Sequence, residues 1–234
     1  MAMILHLLFL NHTVETIPFW PFVITMLLAS AILYTRAMNS NNWTLVLRSI
    51  FSPRAVQQLI REENTMDNTF SGILVLTFFF SLSLFFYNIN EFYEITGTVY
   101  PLLTYFLILT VLFLTYLLKV VGLFTVQLIF ESKEIFEEYL VSLMNINIVL
   151  GACLLPLNLM IIYGVGLPQG GLIYLGIILL AGSFLIRYTR LFEMGIRNGM
   201  KAYNIILYLC TLEIIPIVLF IKLLDNLGIN LNLL

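Results

Sequence analysis

The hydrophobic positions of this chain fall into six long runs, separated by short polar stretches. A helix needs about 20 mostly apolar residues to cross the hydrocarbon core of a membrane, and the runs approach or exceed that length. The pattern predicts an all-α, polytopic transmembrane helix bundle that forms a single integral membrane domain over residues 1–234. The predicted spans are residues 17–34, 69–88, 101–130, 139–163, 171–188 and 202–224.

A shorter amphipathic pattern lies between the first two spans, at residues 42–63. Ser52 followed by Pro53 is typical of a helix start, with serine as the cap and proline at the first helical position. After it, Val56 and Ile60 share one face. We expect an interfacial amphipathic helix on the cytoplasmic side, and two roles stay open: a helix packed on the bundle, or a surface that docks a partner. Its arginines are candidates for contact with lipid headgroups: Arg48, Arg54 and Arg61.

Composition places the chain in lipid. Its residues are 61% hydrophobic and only 10% charged, whereas soluble domains carry about 25% charged residues. A soluble fold of this length could not bury so much apolar surface. The basic groups lie beside apolar spans, so nucleic acid is not an expected partner. We expect the partners to be membrane lipids and either other membrane proteins or a second copy of the chain.

The distribution of Lys and Arg predicts the orientation. Nine of the 11 basic residues lie in the connections that follow the first, third and fifth spans, and only Lys222 lies on the opposite side. Under the positive-inside rule, those three connections are cytoplasmic and both termini are periplasmic. After the fifth span, Arg187, Arg190 and Arg197 are further candidates for headgroup contact.

One acidic residue, Glu213, lies within the last span. An ionised side chain at mid-bilayer depth costs at least about 2.5–3.5 kcal/mol, so this carboxyl group must be neutral, paired or facing water. Pro216 removes a backbone donor and clashes with the carbonyl of Leu212, which predicts a kink beside the acid. Thr211 can supply a local hydrogen bond there.

The depth of Lys119 in the third span has two possible solutions. A helix over residues 101–130 is about 45 Å long, against a hydrocarbon core of about 30 Å. In the first solution the span ends at Lys119, which reaches the cytoplasmic headgroups, and Val120–Phe130 runs along the surface. In the second, the helix tilts and ends at the acidic cluster that begins at Glu131. Lys119 and Glu213 would then share one depth and could form an ion pair.

Polar and small residues in the fourth and fifth spans predict close helix packing. Asn145 and Asn147 are expected to make interhelical hydrogen bonds, because a buried amide in a membrane seeks a partner. Gly151 in the fourth span, with Gly176 and Gly182 in the fifth, would let two helix backbones approach closely.

Several of these elements together resemble a known family. They are the basic stretch Arg48–Asn64, the turn Arg187-Tyr188-x-Arg190, and the ending Leu207–Pro216 followed by Lys222, in which an acid precedes a proline. Over most of its length the chain resembles the Bacteroidota inner-membrane proteins known as domain of unknown function 4271. The resemblance implies an inner-membrane helix bundle, and it supplies neither a reaction nor a substrate.

The sequence contains no recognisable catalytic motif. Neither HExxH nor GxSxG is present, and the only two aspartates, Asp67 and Asp225, lie outside the spans. Cys153 and Cys210 form no CxxC pair, so we expect no catalytic residue, metal site or cofactor. The predicted function is a non-enzymatic subunit or scaffold of a cell-envelope transport or secretion assembly. The alternative is a proton-sensitive small transporter or lipid flippase that uses Glu213.

Overall fold

A computed structural model describes residues 19–38, 40–49, 55–58, 68–93, 100–130, 133–164 and 168–197. Within these ranges the regular structure is helical and no strand occurs, which confirms the predicted all-α polytopic bundle. Residues 55–58 form a short helical segment. The longer helices are α1 (Trp20–Met38), α2 (Ser40–Ser49), α3 (Asn68–Phe92), α4 (Pro101–Phe130), α5 (Lys133–Tyr163) and α6 (Gln169–Arg197).

Five of these helices are long and apolar enough to cross a membrane. The predicted sixth span, 202–224, lies outside the described residues. The first and second spanning helices, α1 and α3, each end four residues later than the predicted spans. They continue because no proline or glycine stops them where the sequence turns polar. The apolar segments are Trp20–Met38, Ser71–Phe92, Pro101–Gly122, Glu138–Tyr163 and Gln169–Glu193.

Helices α3 and α5 form the centre of the bundle. Their apolar segments are 61% and 56% buried, whereas those of α1, α4 and α6 are only 22%, 11% and 17% buried. The α3–α5 contact is the most extensive, followed by α5–α6, α1–α3 and α3–α4. Within the described part of the chain, the outer helices therefore leave most of their apolar surface uncovered.

Two glycines allow close approach to α3, and Gly151 faces α3 rather than the fifth span against which it was expected to pack. A Cβ atom on Gly151 of α5 would lie 2.7 Å from the Cα atom of Phe78 on α3, so these two backbones touch. A Cβ atom on Gly176 of α6 would lie 2.2 Å from the ring of Phe85. The expectation for Gly182 was wrong: a Cβ atom there would meet nothing within 4 Å, because this residue faces outwards.

The segment between the first two spans packs against the bundle. Helix α2 begins at Ser40, close to the start of the predicted stretch 42–63, and it contacts α5 and α1. The predicted helix start at Ser52 lies outside the described residues. Val46 of α2 is buried in a cluster with Leu74 of α3 and Ile148 of α5. These contacts agree with the first of the two open roles, a helix packed on the bundle, for residues 40–49.

Aromatic side chains join the helices at the opposite end. The ring of Trp20, at the start of α1, lies 5.1 Å from that of Tyr87 and 5.2 Å from that of Tyr105. These two residues belong to the end of α3 and the start of α4. We call this end of the bundle the aromatic end, and the end that carries α2 and the last turns of α6 the basic end.

Candidate functional site

A cavity of about 360 Å³ lies between α3, α4, α5 and α6. This volume is at the lower end of the range of about 300–1,000 Å³ that is typical of ligand sites. Most of its wall is apolar. Each of the four helices contributes to that wall, through residues that include Phe79, Leu82, Leu112, Leu150, Leu180 and Phe184.

Polar side chains converge at the end of the cavity that faces the basic end. Lys119 of α4 and Arg187 of α6 both line it, together with Asn147 of α5. The Nη2 atom of Arg187 donates a hydrogen bond to Oδ1 of Asn147. Tyr116 of α4 also lines the cavity. The bond between Asn147 and Arg187 links α5 to α6 and fixes the position of the arginine.

Arg187 is held inside the bundle by more than one contact. Only 8% of its surface is exposed, and its Cζ atom lies 5.0 Å from the centre of the Phe184 ring, one turn earlier on α6. A cation placed over an aromatic face is attracted by the ring quadrupole. The guanidinium thus contacts the Asn147 amide oxygen and the Phe184 ring in place of water. These contacts lower the free-energy cost of burying its charge.

Arg190, one turn further along α6, ties α6 to α2. Its Nη2 atom donates a hydrogen bond to the backbone oxygen of Ser49, the last residue of α2. Carbonyls in the last turn of a helix have no partner within that helix and carry the negative end of its dipole, so they attract cations. This contact explains why α2 is held against the basic end.

Arg187 and Arg190, the predicted candidates for headgroup contact on α6, have low exposure in the described bundle, and headgroup contact stays a prediction for both. Both side chains are buried, because an asparagine side chain and a helix-end carbonyl accept hydrogen bonds from their guanidinium groups inside the protein. Arg48 is exposed, as headgroup contact requires. The remaining predicted site residues lie outside the described parts of the chain, or have side chains that do: Arg54, Arg61, Arg197, Thr211, Glu213 and Pro216.

The depth of this polar layer follows from helix lengths. About 18 residues separate Lys119 from the start of α4, and about 18 separate Arg187 from the start of α6, which corresponds to about 27 Å of helix. Both helices start at the aromatic end, where Tyr and Trp favour the headgroup boundary. With a hydrocarbon core of about 30 Å, Lys119 lies near the boundary at the basic end. Because α4 continues as one helix to Phe130, both solutions for the depth of Lys119 stay open.

A second polar group is structural. The Nδ2 atom of Asn158 donates to the backbone oxygen of Ser81 at 2.9 Å, and its Oδ1 accepts from Nδ2 of Asn88 at 3.2 Å. Ser81 Oγ in turn donates to the backbone oxygen of Gly151 at 3.1 Å. These bonds join α3 to α5 and satisfy a fully buried amide. Asn145 differs from Asn158, because the buried Nδ2 atom of Asn145 has no hydrogen-bond partner in the described part of the chain.

Metal binding finds no support in the described residues, where no group of three or more His, Cys, Asp or Glu side chains lies close enough to hold an ion. Cys153 is exposed on the surface of α5. For the whole chain, the absence of a metal site or cofactor stays a prediction.

Comparison with known proteins gives a family. The sequence model of the family described as "Domain of unknown function (DUF4271)" matches residues 22–224, which is most of the chain. Neither the curated proteins nor the solved structures gave a match. The resemblance carried by the basic stretch, the arginine turn and the acid–proline ending is thereby confirmed, and the chain belongs to the family of domain of unknown function 4271.

Proposed function

We propose that this chain is a non-enzymatic subunit or scaffold of a cell-envelope transport or secretion assembly. In this proposal it resides in the inner membrane as a multi-pass protein with both termini on the periplasmic side. The observation that carries the proposal is the low burial of α4, whose apolar segment is only 11% buried. A helix so little covered by the described helices is well suited to pack against helices of another membrane protein.

The exposed side of α4 is an apolar stripe that is interrupted at Thr110. Leu103, Leu107, Leu114, Leu118 and Val121 are all exposed and follow one another at helical spacing. The helix contacts α3 and, weakly, α5, and no Cα atoms of its described residues lie within 8 Å of those of α6. Transmembrane helices associate through van der Waals packing and interhelical hydrogen bonds rather than through the hydrophobic effect. A partner helix along this stripe would extend the packing of α4 without changing the bundle.

A photocrosslinking probe within the membrane tests this role. We expect a photoreactive amino acid at Leu107 or Leu114 of the full-length protein to crosslink to one defined membrane protein in cells. The matched control places the probe at Leu33 of α1, which is equally exposed but lies on another helix. Crosslinks to lipid alone from both α4 positions, or the same protein captured from all three positions, would contradict a partner surface on α4.

A second candidate function, a proton-sensitive small transporter or lipid flippase, is favoured by the cavity. The cavity brings Lys119 and Arg187 to one end of an apolar space, and Glu213 would be the proton-sensitive group. Substitution Glu213→Gln separates the two candidates. A flippase should lose phospholipid transfer in reconstituted vesicles while still inserting, whereas a scaffold should keep its partner and its cellular role.

A further inference from the structure

The cavity between α3, α4, α5 and α6 has the chemistry of an amphiphile site. We infer that it binds an anionic membrane phospholipid, with one acyl chain between the apolar walls and the phosphate at Lys119 and Arg187. This inference is independent of the partner surface on α4, because a scaffold and a transporter can each hold a specific lipid.

The apolar part of the cavity suits a single hydrocarbon chain. Its wall is formed by side chains such as Phe79, Leu82, Leu112 and Leu180. Apolar surface of this kind favours an occupant without hydrogen-bonding groups. A cavity of about 360 Å³ is small for a ligand site, which limits the occupant to one chain of a two-chain lipid.

The charged end of the cavity suits a phosphate. Lys119 and Arg187 come from different helices and line the same end, and no acidic side chain is among the described residues that line the cavity. Asn147 holds the Arg187 guanidinium in place, so little ordering is needed when an anion binds. Hydrogen bonds from Lys or Arg to phosphate are charge-assisted and are roughly twice as strong as neutral ones.

The position of the charged end matches the position of a lipid phosphate. Helix lengths place Lys119 and Arg187 near the membrane boundary at the basic end. Helices α4 and α6 both line the cavity, and no Cα atoms of their described residues lie within 8 Å of each other. A lipid can therefore enter sideways from its own leaflet, with its headgroup already at the right depth.

Native mass spectrometry of the full-length protein tests the inference. The protein is reconstituted with equal amounts of phosphatidylglycerol and phosphatidylethanolamine and then released, and the ratio of the two retained lipids is measured. We expect the wild type to retain phosphatidylglycerol in preference. Lys119→Gln should lower the retained ratio by about tenfold, the effect expected when one charge-assisted hydrogen bond is lost.

Two further variants make the result specific to the cavity. Leu112→Trp fills the apolar part and keeps both charges, so it should reduce retention of both lipids; Leu180→Trp does the same from α6 if the first variant fails to fold. Arg48→Gln is the matched control, because Arg48 is exposed and does not line the cavity. It should leave the retained ratio unchanged.

Three results would overturn the inference. They are wild-type protein that retains no lipid, equal retention of the two lipids by the wild type, and an equal loss of preference in Lys119→Gln and Arg48→Gln. The segment 202–224 is a different possible occupant, and it is tested in a chain whose Cys153 and Cys210 are replaced by serine. A disulfide between Lys119→Cys and Glu213→Cys in that chain, together with absence of bound lipid in the wild type, would indicate that this segment fills the cavity.

Discussion

Arg187 shows how one residue can carry a full charge inside an apolar bundle. Its guanidinium donates to the side chain of Asn147 and lies over the ring of Phe184. Removing a partner from a buried charged group costs more than the hydrogen bond itself contributes, because the group cannot return to water. Asn147 is therefore the residue whose loss should be felt most strongly at this site.

Paired substitutions at the two asparagines of α5 test this argument. Asn147→Leu should lower the free energy of unfolding by about 1.5–3 kcal/mol, since a charged donor loses its acceptor. Asn145→Leu should change it little or raise it, because the buried Nδ2 of Asn145 has no hydrogen-bond partner in the described residues. Thermal unfolding in detergent measures both. Equal destabilisation by the two variants would contradict the assigned role of Asn147.

Two glycines offer a second test at the same scale. Gly151→Ala places a Cβ atom 2.7 Å from the backbone of Phe78, so we expect it to destabilise the protein by about 1–3 kcal/mol, as overpacking does. Gly182→Ala, where nothing lies within 4 Å, should stabilise it by about 0.5–1 kcal/mol, because alanine is the better helix former. Melting temperatures of the two variants measure these changes in stability. If both variants change the stability in the same direction, the result would contradict the close α3–α5 contact.

The sequence contained the residues of the site but not their pairing. Arg187 and Asn147 were each recognised as polar residues near the basic end of their spans. Their contact depends on how α5 and α6 are rotated about their axes. Helix α5 is apolar on almost every side, and hydrophobic periodicity then cannot tell which side packs inwards. The expectation for Gly182 of α6 was wrong for another reason, since a glycine is compatible with both a packed and an exposed helix face.

At the scale of elements, span positions were the most predictable feature. The thickness of the bilayer sets the length of a spanning helix, and that length can be counted in the sequence. Helix α2 was harder to place, because its position depends on tertiary contacts. Val46 packs against α3 and α5, and Arg190 holds the carbonyl of Ser49. Neither contact has a signal in the local sequence.

Docking of α2 can be tested by weakening its apolar contact. Val46→Asp puts a carboxylate into the cluster with Leu74 and Ile148, and burying an unpaired charge there is strongly unfavourable. We expect faster hydrogen exchange and proteolysis in residues 40–49, while the spanning helices stay protected. Leu47→Asp is the control, because Leu47 is exposed on the same helix. If α2 stays equally protected in both variants, Val46 does not anchor it.

At the scale of the whole molecule, the bundle is polarised along its axis. The aromatic end gathers Trp20, Tyr87 and Tyr105, whereas the basic end gathers Arg187, Arg190 and the docked helix α2. The contact between Arg190 and Ser49 places the connection after the first span beside the end of the fifth. From the positive-inside rule we propose that this basic end faces the cell interior.

The most direct measurement of this layout is cysteine accessibility in cells, with Cys153 and Cys210 replaced by serine. Leu47→Cys on α2 and Glu193→Cys on α6 probe the basic end, and Tyr93→Cys probes the aromatic end; all three positions are exposed. We predict that a membrane-impermeant maleimide that reaches the periplasm labels only Tyr93→Cys until the inner membrane is opened. Labelling of Leu47→Cys and Glu193→Cys from opposite sides of the membrane would contradict the account.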